Sequence, residues 1–179
     1  INFKLLDAID LAFPDDSFDL ILSCHVLFGL PDVDKALREW QRVLRPGGRI
    51  VFSSISKANE ILLRRPELVP VLSDYFDLSG GPQLGASLGT VDDCMLALSN
   101  ADYEGVMATE EDLGYYYRGF DDFWNEICAS LFKYQLDNLG AAKQAELRDA
   151  LERTLHDQFV ADGMYQQNLT ILPKGSKAR

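Results

Sequence analysis

Between Ser17 and Ser54 the chain passes from a short apolar run to a helical stripe and back to an apolar run: SFDLILSCHVLFGLPDVDKALREWQRVLRPGGRIVFSS. Ser17–Cys24 follows the turn residues Pro14, Asp15 and Asp16, and Phe18, Leu20, Ile21 and Leu22 make it a mostly apolar strand. Asp32 is placed to cap a helix by accepting the free N–H groups of its first turn. Val33, Ala36, Leu37, Trp40, Val43 and Leu44 then recur at the spacing of one helical face. Arg45-Pro46-Gly47-Gly48 stops that helix in a tight turn, because Pro cannot continue it and Gly supplies the left-handed geometry of a reversal. Arg49–Ser54 reads as a second strand. Strand, helix and strand of this length predict a βαβ unit with parallel strands and a right-handed crossover.

The rest of the chain carries weaker periodicity. Ile1–Leu6 reads as the end of a strand, followed by Asp7-Ala8 and a loop to Asp16. Asn59–Arg65 and Glu67–Phe76 have helical character, and Gly80-Gly81-Pro82, Gly85 and Gly89 mark a connection. Thr90-Val91-Asp92-Asp93 opens a helix to about Asn100, in a variant of the capping box. Tyr103–Ala108 and Leu113–Arg118 read as strands. Asp121 caps a helix with Phe123, Trp124, Ile127, Leu131 and Tyr134 on one face, closed by Gly140. Ala142–Val160 is a further amphipathic helix, Met164–Leu172 a final strand, and Pro173–Arg179 a polar tail. The alternation predicts an α/β class: one domain over residues 1–179, with residues 57–90 as a variable insert.

Composition narrows the partners. A net charge of −11 argues against nucleic acid and against an anionic membrane surface, since both need clustered Lys and Arg. No apolar run approaches the roughly 20 residues of a membrane span. Cys24, Cys94 and Cys128 are odd in number and widely spaced, which fits buried reduced thiols and a cytoplasmic setting. Asp15, Asp16 and Asp19 are expected to serve the turn and the strand start, with no metal, because no His or second carboxylate group falls at ligand spacing. The aromatic residues Tyr75, Phe76, Tyr115, Tyr116, Tyr117, Phe120, Phe123 and Trp124 are read as core, with a subset able to wall an apolar pocket.

The opening stretch resembles the class I methyltransferases that use S-adenosylmethionine (SAM), in particular the small-molecule group that includes the ubiquinone-biosynthesis type. The residues that carry the likeness are Asp7-Ala8, Phe13-Pro14-Asp15-Asp16-Ser17-Phe18-Asp19, Leu30-Pro31-Asp32 and Arg42-Val43-Leu44-Arg45-Pro46-Gly47-Gly48, in that order. Beyond Ser54 the likeness is looser, through Ala101–Val106, the aromatic helix near Trp124 and Asp162-Gly163. The resemblance implies a Rossmann-like sheet and SAM as cofactor. It also implies that the Asp7 carboxylate accepts from the adenine amino group while the Ala8 N–H reaches the ring. Cys24, His25 and Val26 would contact SAM at the end of the central strand, with a small-molecule methyl acceptor beyond them. His25 is the candidate general base; His156 is set aside.

One departure stands out. The family opens with a strand, a glycine-rich GxGxG turn and a helix, then a strand ending in an acid for the ribose, and this sequence holds no such stretch. The chain is therefore expected to be an N-terminally truncated part of a methyltransferase, binding SAM weakly or not at all by itself. The strand Ser17–Cys24 would then present an unpaired edge, covered by Ile1–Leu6, by an excised piece or by a second copy in a homodimer. The alternative reading is a non-catalytic methyltransferase-like interaction or regulatory module. A dehydrogenase is disfavoured, because the Pro-Gly-Gly link is typical of methyltransferases and no dinucleotide fingerprint occurs.

Overall fold

In a computed structural model of the chain, which describes residues 2–59, 65–78, 88–130, 132–160 and 163–179, Asp32 caps the first helix as its position predicts. Its carboxylate accepts the Lys35 N–H at 2.9 Å, and α1 (Val33–Val43) follows. Ala36, Leu37, Trp40 and Val43 are the buried stripe of that helix. β1 (Phe18–Cys24) precedes it and β2 (Leu44–Ile55) follows, and the two strands pair in parallel.

The Pro-Gly-Gly stretch ends the helix but forms no separate turn. β2 begins at Leu44 rather than at Arg49, and the ladder jumps from Phe18–Leu44 to Leu20–Arg49, so that Arg45–Gly48 bulges out of the strand. Gly47 takes a φ of +78°, and a Cβ on Gly48 would lie 2.8 Å from the Arg45 carbonyl oxygen. Both glycines are therefore demanded by the backbone.

The chain divides into two compact units. The first comprises residues 1–58, 83–113 and 169–179, and the second residues 59–82 and 114–168. In the first, a four-stranded sheet runs β1-β2-β6-β3, with β3 spanning Tyr103–Asp112 and β6 Leu169–Lys177. β6 is antiparallel to both of its neighbours. α1 and α3 (Val91–Asn100) supply the helical layer, with α3 packed on α1, β3 and β6. The Thr90 hydroxyl accepts the Asp93 N–H at 3.1 Å and so opens α3 at the expected place. Leu37, Trp40, Ile50, Phe52, Leu98 and Ile171 are central to the core of this unit.

The second unit holds α2 (Leu68–Ser73), β4 (Tyr115–Tyr117), α4 (Phe120–Ala129), α5 (Lys133–Asp137), α6 (Ala141–Val160) and β5 (Met164–Gln166). β4 and β5 pair antiparallel. Leu147, Leu151 and Leu155 of α6 are fully buried with Leu68, Leu72 and Phe123.

Several expectations are corrected. Residues 2–6 form no strand, and the apolar Phe3 and Leu5 are exposed, because no described strand lies beside them. Asp121 does not cap α4; Gly119 holds the cap position, and the Asp122 carboxylate accepts from the Arg118 N–H. That helix ends at Ser130, ten residues before Gly140, and Tyr134 lies exposed on α5. The segment read as a polar tail continues β6 to Lys177 between β2 and β3. Cys24 is exposed and Cys128 half-buried, so only Cys94 is the buried thiol expected of all three. The helical character of 60–64, the glycines at 80, 81 and 85, Leu131 and Asp162 lie outside the described residues.

Candidate functional site

The carboxyl ends of β1 and β2 lie side by side, because the strands are parallel. In open α/β sheets this is where ligands sit. β1 ends on Ser23 and Cys24, opposite Phe52 and Ser53 of β2. His25 then adopts a left-handed backbone with φ of +51°, a sparsely populated state for a residue with a Cβ. Its N–H donates to the Ser53 hydroxyl at 3.0 Å and, more weakly, to the Ser53 carbonyl at 3.3 Å. The sharp change of direction leaves the imidazole and Val26 exposed, while Leu27 is buried and anchors the 3-10 turn Leu27–Gly29 that leads toward α1.

Ser23 is 8% exposed, and its hydroxyl has no hydrogen-bond partner among the described residues. A buried hydroxyl in that state costs free energy unless something satisfies it. Ser54, one strand over, is satisfied: its hydroxyl donates to the Leu88 carbonyl at 2.8 Å. The roles of Ser23 and Ser53 are absent from the sequence reading. Their signal was there in hydroxyl residues ending two adjacent parallel strands, but it could be read only once the register was known.

Asp7 and Ala8 form a separate turn. The Ile9 N–H donates to Asp7 Oδ1 at 3.1 Å, and the Asp10 N–H to the Asp7 carbonyl at 3.2 Å. The other carboxylate oxygen makes no hydrogen bond among the described residues. The Ala8 carbonyl accepts from the Trp40 indole at 2.8 Å, which fixes the turn to α1. Cys24, His25 and Val26 are thus brought together at one strand end. Asp7 and Ala8 reach the same unit through Trp40, with no hydrogen bond joining the two groups among the described residues.

The acidic cluster is taken up by basic side chains. Asp15 meets Arg42 at 2.5 Å, Asp16 meets Lys177 at 2.8 Å and Asp19 meets Arg45 at 2.8 Å. Arg42 also binds Glu39 and the Phe13 and Leu11 carbonyls, so the loop before β1 is held against α1. His156 lies exposed on α6, beside a shallow surface depression that it lines with Asp149, Glu152, Arg153 and Asp157.

Two groups here keep hydrogen-bonding capacity that a nucleoside ligand such as SAM could meet. A carboxylate with a free oxygen suits the adenine amino group, and the unpaired Ser23 hydroxyl at the strand end suits a polar ligand.

Comparison with known proteins places part of the first unit beside the methyltransferases. Residues 1–52 match the family model of a methyltransferase domain. The methyltransferase GfsG of Streptomyces halstedii is 46% identical over 55 residues, which are 31% of this chain and 20% of that protein. The ubiquinone/menaquinone biosynthesis C-methyltransferase UbiE of Hahella chejuensis is 38% identical over 86 residues, 48% of this chain and 32% of that one. The chain thus spans a third or less of the length of these curated relatives. The crystal structure of YcgJ from Bacillus subtilis superposes with a TM-score of 0.57 at 21% identity, covering 99% of this chain and 71% of that one. Residues 1–52 are thus similar to a methyltransferase domain, and the chain shares the Rossmann-like fold of its structural neighbours.

Proposed function

We propose that the protein is a SAM-dependent methyltransferase acting on a small molecule. The observation that carries this reading is the carboxyl end of β1, where the left-handed His25 and the unsatisfied Ser23 hydroxyl fall within methyltransferase-domain sequence. In this reading Asp7 and Ala8 hold the adenine, and the backbone from Cys24 to Val26 borders the rest of the cofactor. When bound, SAM supplies a methyl group already activated by its sulfonium. The protein then has to align the acceptor in a dry site. The exposed His25 imidazole takes the proton of an acceptor that starts protonated. The names of UbiE and its relatives point to a quinone-like ring as the class of acceptor to try first.

A second reading, a non-catalytic interaction module, is favoured by one specific observation. The Asp7 carboxylate already closes its own turn through the Ile9 N–H, a structural role complete without a ligand. Calorimetric titration with SAM separates the two. Binding weaker than micromolar, lost in Asp7→Ala, is the expected result. Absence of any heat, even at ligand concentrations far above that range, would favour the module.

A further inference from the structure

His25 is a single-residue joint between two fixed stretches of backbone. On its near side the ladder of β1 and β2 runs as far as Cys24 opposite Ser53. On its far side Val26 is already helical, at φ −105° and ψ −43°. The turn that follows is closed by the Gly29 N–H on the Val26 carbonyl at 3.0 Å and the Leu30 N–H on the Leu27 carbonyl at 3.1 Å. Leu27, 1% exposed, holds that turn in the core. Had His25 stayed extended, alternation along the strand would set its side chain on the face of Ser23, where Phe52 and Ser54 are buried. The left-handed state leaves His25 exposed instead, at the steric cost that a Cβ brings there.

We propose that Ser53 is the positioning residue of this site: its hydroxyl holds His25 left-handed, and so sets where the imidazole and the backbone from Cys24 to Val26 stand. The ladder bond at this point, from the His25 N–H to the Ser53 carbonyl, is drawn out to 3.3 Å, and the hydroxyl takes the shorter share at 3.0 Å. The neighbouring serines of the strand end are committed elsewhere. The Ser54 hydroxyl donates to the Leu88 carbonyl, and that of Ser56 accepts the Ala58 N–H. The half-buried Ser53 hydroxyl meets no group but the His25 N–H among the described residues. An oxygen that accepts one bond keeps its own proton to donate, so the clamp stays compatible with a polar ligand at the strand end. Alanine would remove the shorter bond and leave the strained residue on the longer one. The contact follows from the register of β1 on β2, which sets Cys24 opposite Ser53. The inference rests on reading this strand end as the cofactor site.

The chain has two histidines, so NMR resolves the His25 ring from that of His156, and His156→Gln assigns it. In Ser53→Ala the His25 amide is expected to exchange roughly two- to tenfold faster than global stability explains, the worth of one hydrogen bond. The His25 ring resonances should move while those of His156 stay. Ser53→Thr keeps a hydroxyl on a residue that strands favour and is expected to restore both. Circular dichroism and melting temperature report whether each variant keeps the fold. Calorimetry with SAM then reads the site: Ser53→Ala is expected to bind several-fold more weakly than wild type, and Ser53→Thr like wild type. A folded Ser53→Ala with the His25 amide and ring unchanged would overturn the proposal. So would a threonine variant that behaves like alanine, or an alanine variant with undiminished SAM affinity. A wild-type chain that takes up no SAM would overturn the methyltransferase reading alone, and the spectra would still decide whether Ser53 holds His25.

Discussion

The indole N–H of Trp40 donates to the carbonyl of Ala8 at 2.8 Å, and this bond ties the Asp7 turn to α1. Trp40 is 5% exposed and Ala8 half-buried, so the bond is partly shielded from water. Trp40→Phe keeps an aromatic ring in the core but leaves that carbonyl unpaired. The expected loss is about 1–3 kcal/mol of stability in a urea melt. Amide exchange at Ile9 and Asp10, whose N–H groups close the Asp7 turn, should quicken beyond what the global loss explains. Exchange there that merely follows global unfolding would show that the turn holds itself.

Glu39 and Arg42 predict a pH dependence. Arg42 donates to both carboxylate oxygens of Glu39, and the Leu11 N–H adds a third bond at 2.8 Å. The Arg42 bond, aided by that N–H and opposed by burial, holds the Glu39 carboxyl below its usual range. A group whose folded pKa is depressed stabilises above its unfolded value and loses that contribution as pH falls through the folded one. Wild type should therefore melt above Glu39→Gln near neutral pH. The gap should close as pH falls below the ordinary glutamate value of about 4.3. A gap unchanged down to strong acid would mean that the ionised form contributes nothing.

The sequence made most of α1 legible, because its cap at Asp32 and its buried stripe are local features, but Leu44, read on the helical face, opens β2 instead. β6 was hidden for a physical reason. Pro173 and Gly175 argue against a central strand, yet β2 pairs with β6 at Lys174 and Ile171, on either side of Pro173. Gly175 is there for close approach, since a Cβ would stand 3.1 Å from that of Tyr103, whose hydroxyl reaches across to the Leu37 carbonyl. Such reasons exist only after long-range pairing is known. The break at Ser130 is similar. The Ser130 hydroxyl donates to the Ile127 carbonyl and accepts the Phe132 N–H, competing with the helix without any glycine or proline to announce it. Phe132 then stacks on Phe76 at 5.1 Å. Of the candidate site, the residue types at 7, 8 and 24–26 could be read from the likeness. The left-handed His25 and the unsatisfied Ser23 could not, because backbone geometry and burial create them.

The bulge in β2 separates two adjacent glycines by experiment. Gly47 is left-handed with its nearest obstacle, the Arg179 side chain, at 3.7 Å. Asn enters that backbone region more readily than other side chains, so Gly47→Asn should be strained but cost less than a side chain at Gly48. Gly48 faces main chain, the Arg45 oxygen at 2.8 Å and the Phe18 oxygen at 3.2 Å. Gly48→Ala is expected to cost about 1–3 kcal/mol, through overpacking against backbone that cannot turn aside. Equal melting temperatures for the two variants would contradict this reading of the bulge.

The thiols should react in the order of their exposure and ionisation. Cys94 is fully buried in the core of the first unit, where its Sγ donates to the Leu88 carbonyl at 3.3 Å. Burial, with a smaller push from the Asp93 charge, raises its thiol to about 12. Thiolate is the reactive form, so Cys94 is protected by both lack of access and lack of charge. Cys24 is exposed at the end of β1, and Cys128 is half-buried. In native protein at about pH 8, an aromatic disulfide reagent should modify Cys24 first and Cys128 more slowly. Cys94 should be modified only as the protein unfolds, so its rate should rise with urea in step with the melting curve while that of Cys24 changes little. Peptide mapping by mass spectrometry assigns each adduct. Native-state labelling of Cys94 at the rate of Cys24 would mean that the layer of α3 over the sheet opens locally, far more readily than its packing implies.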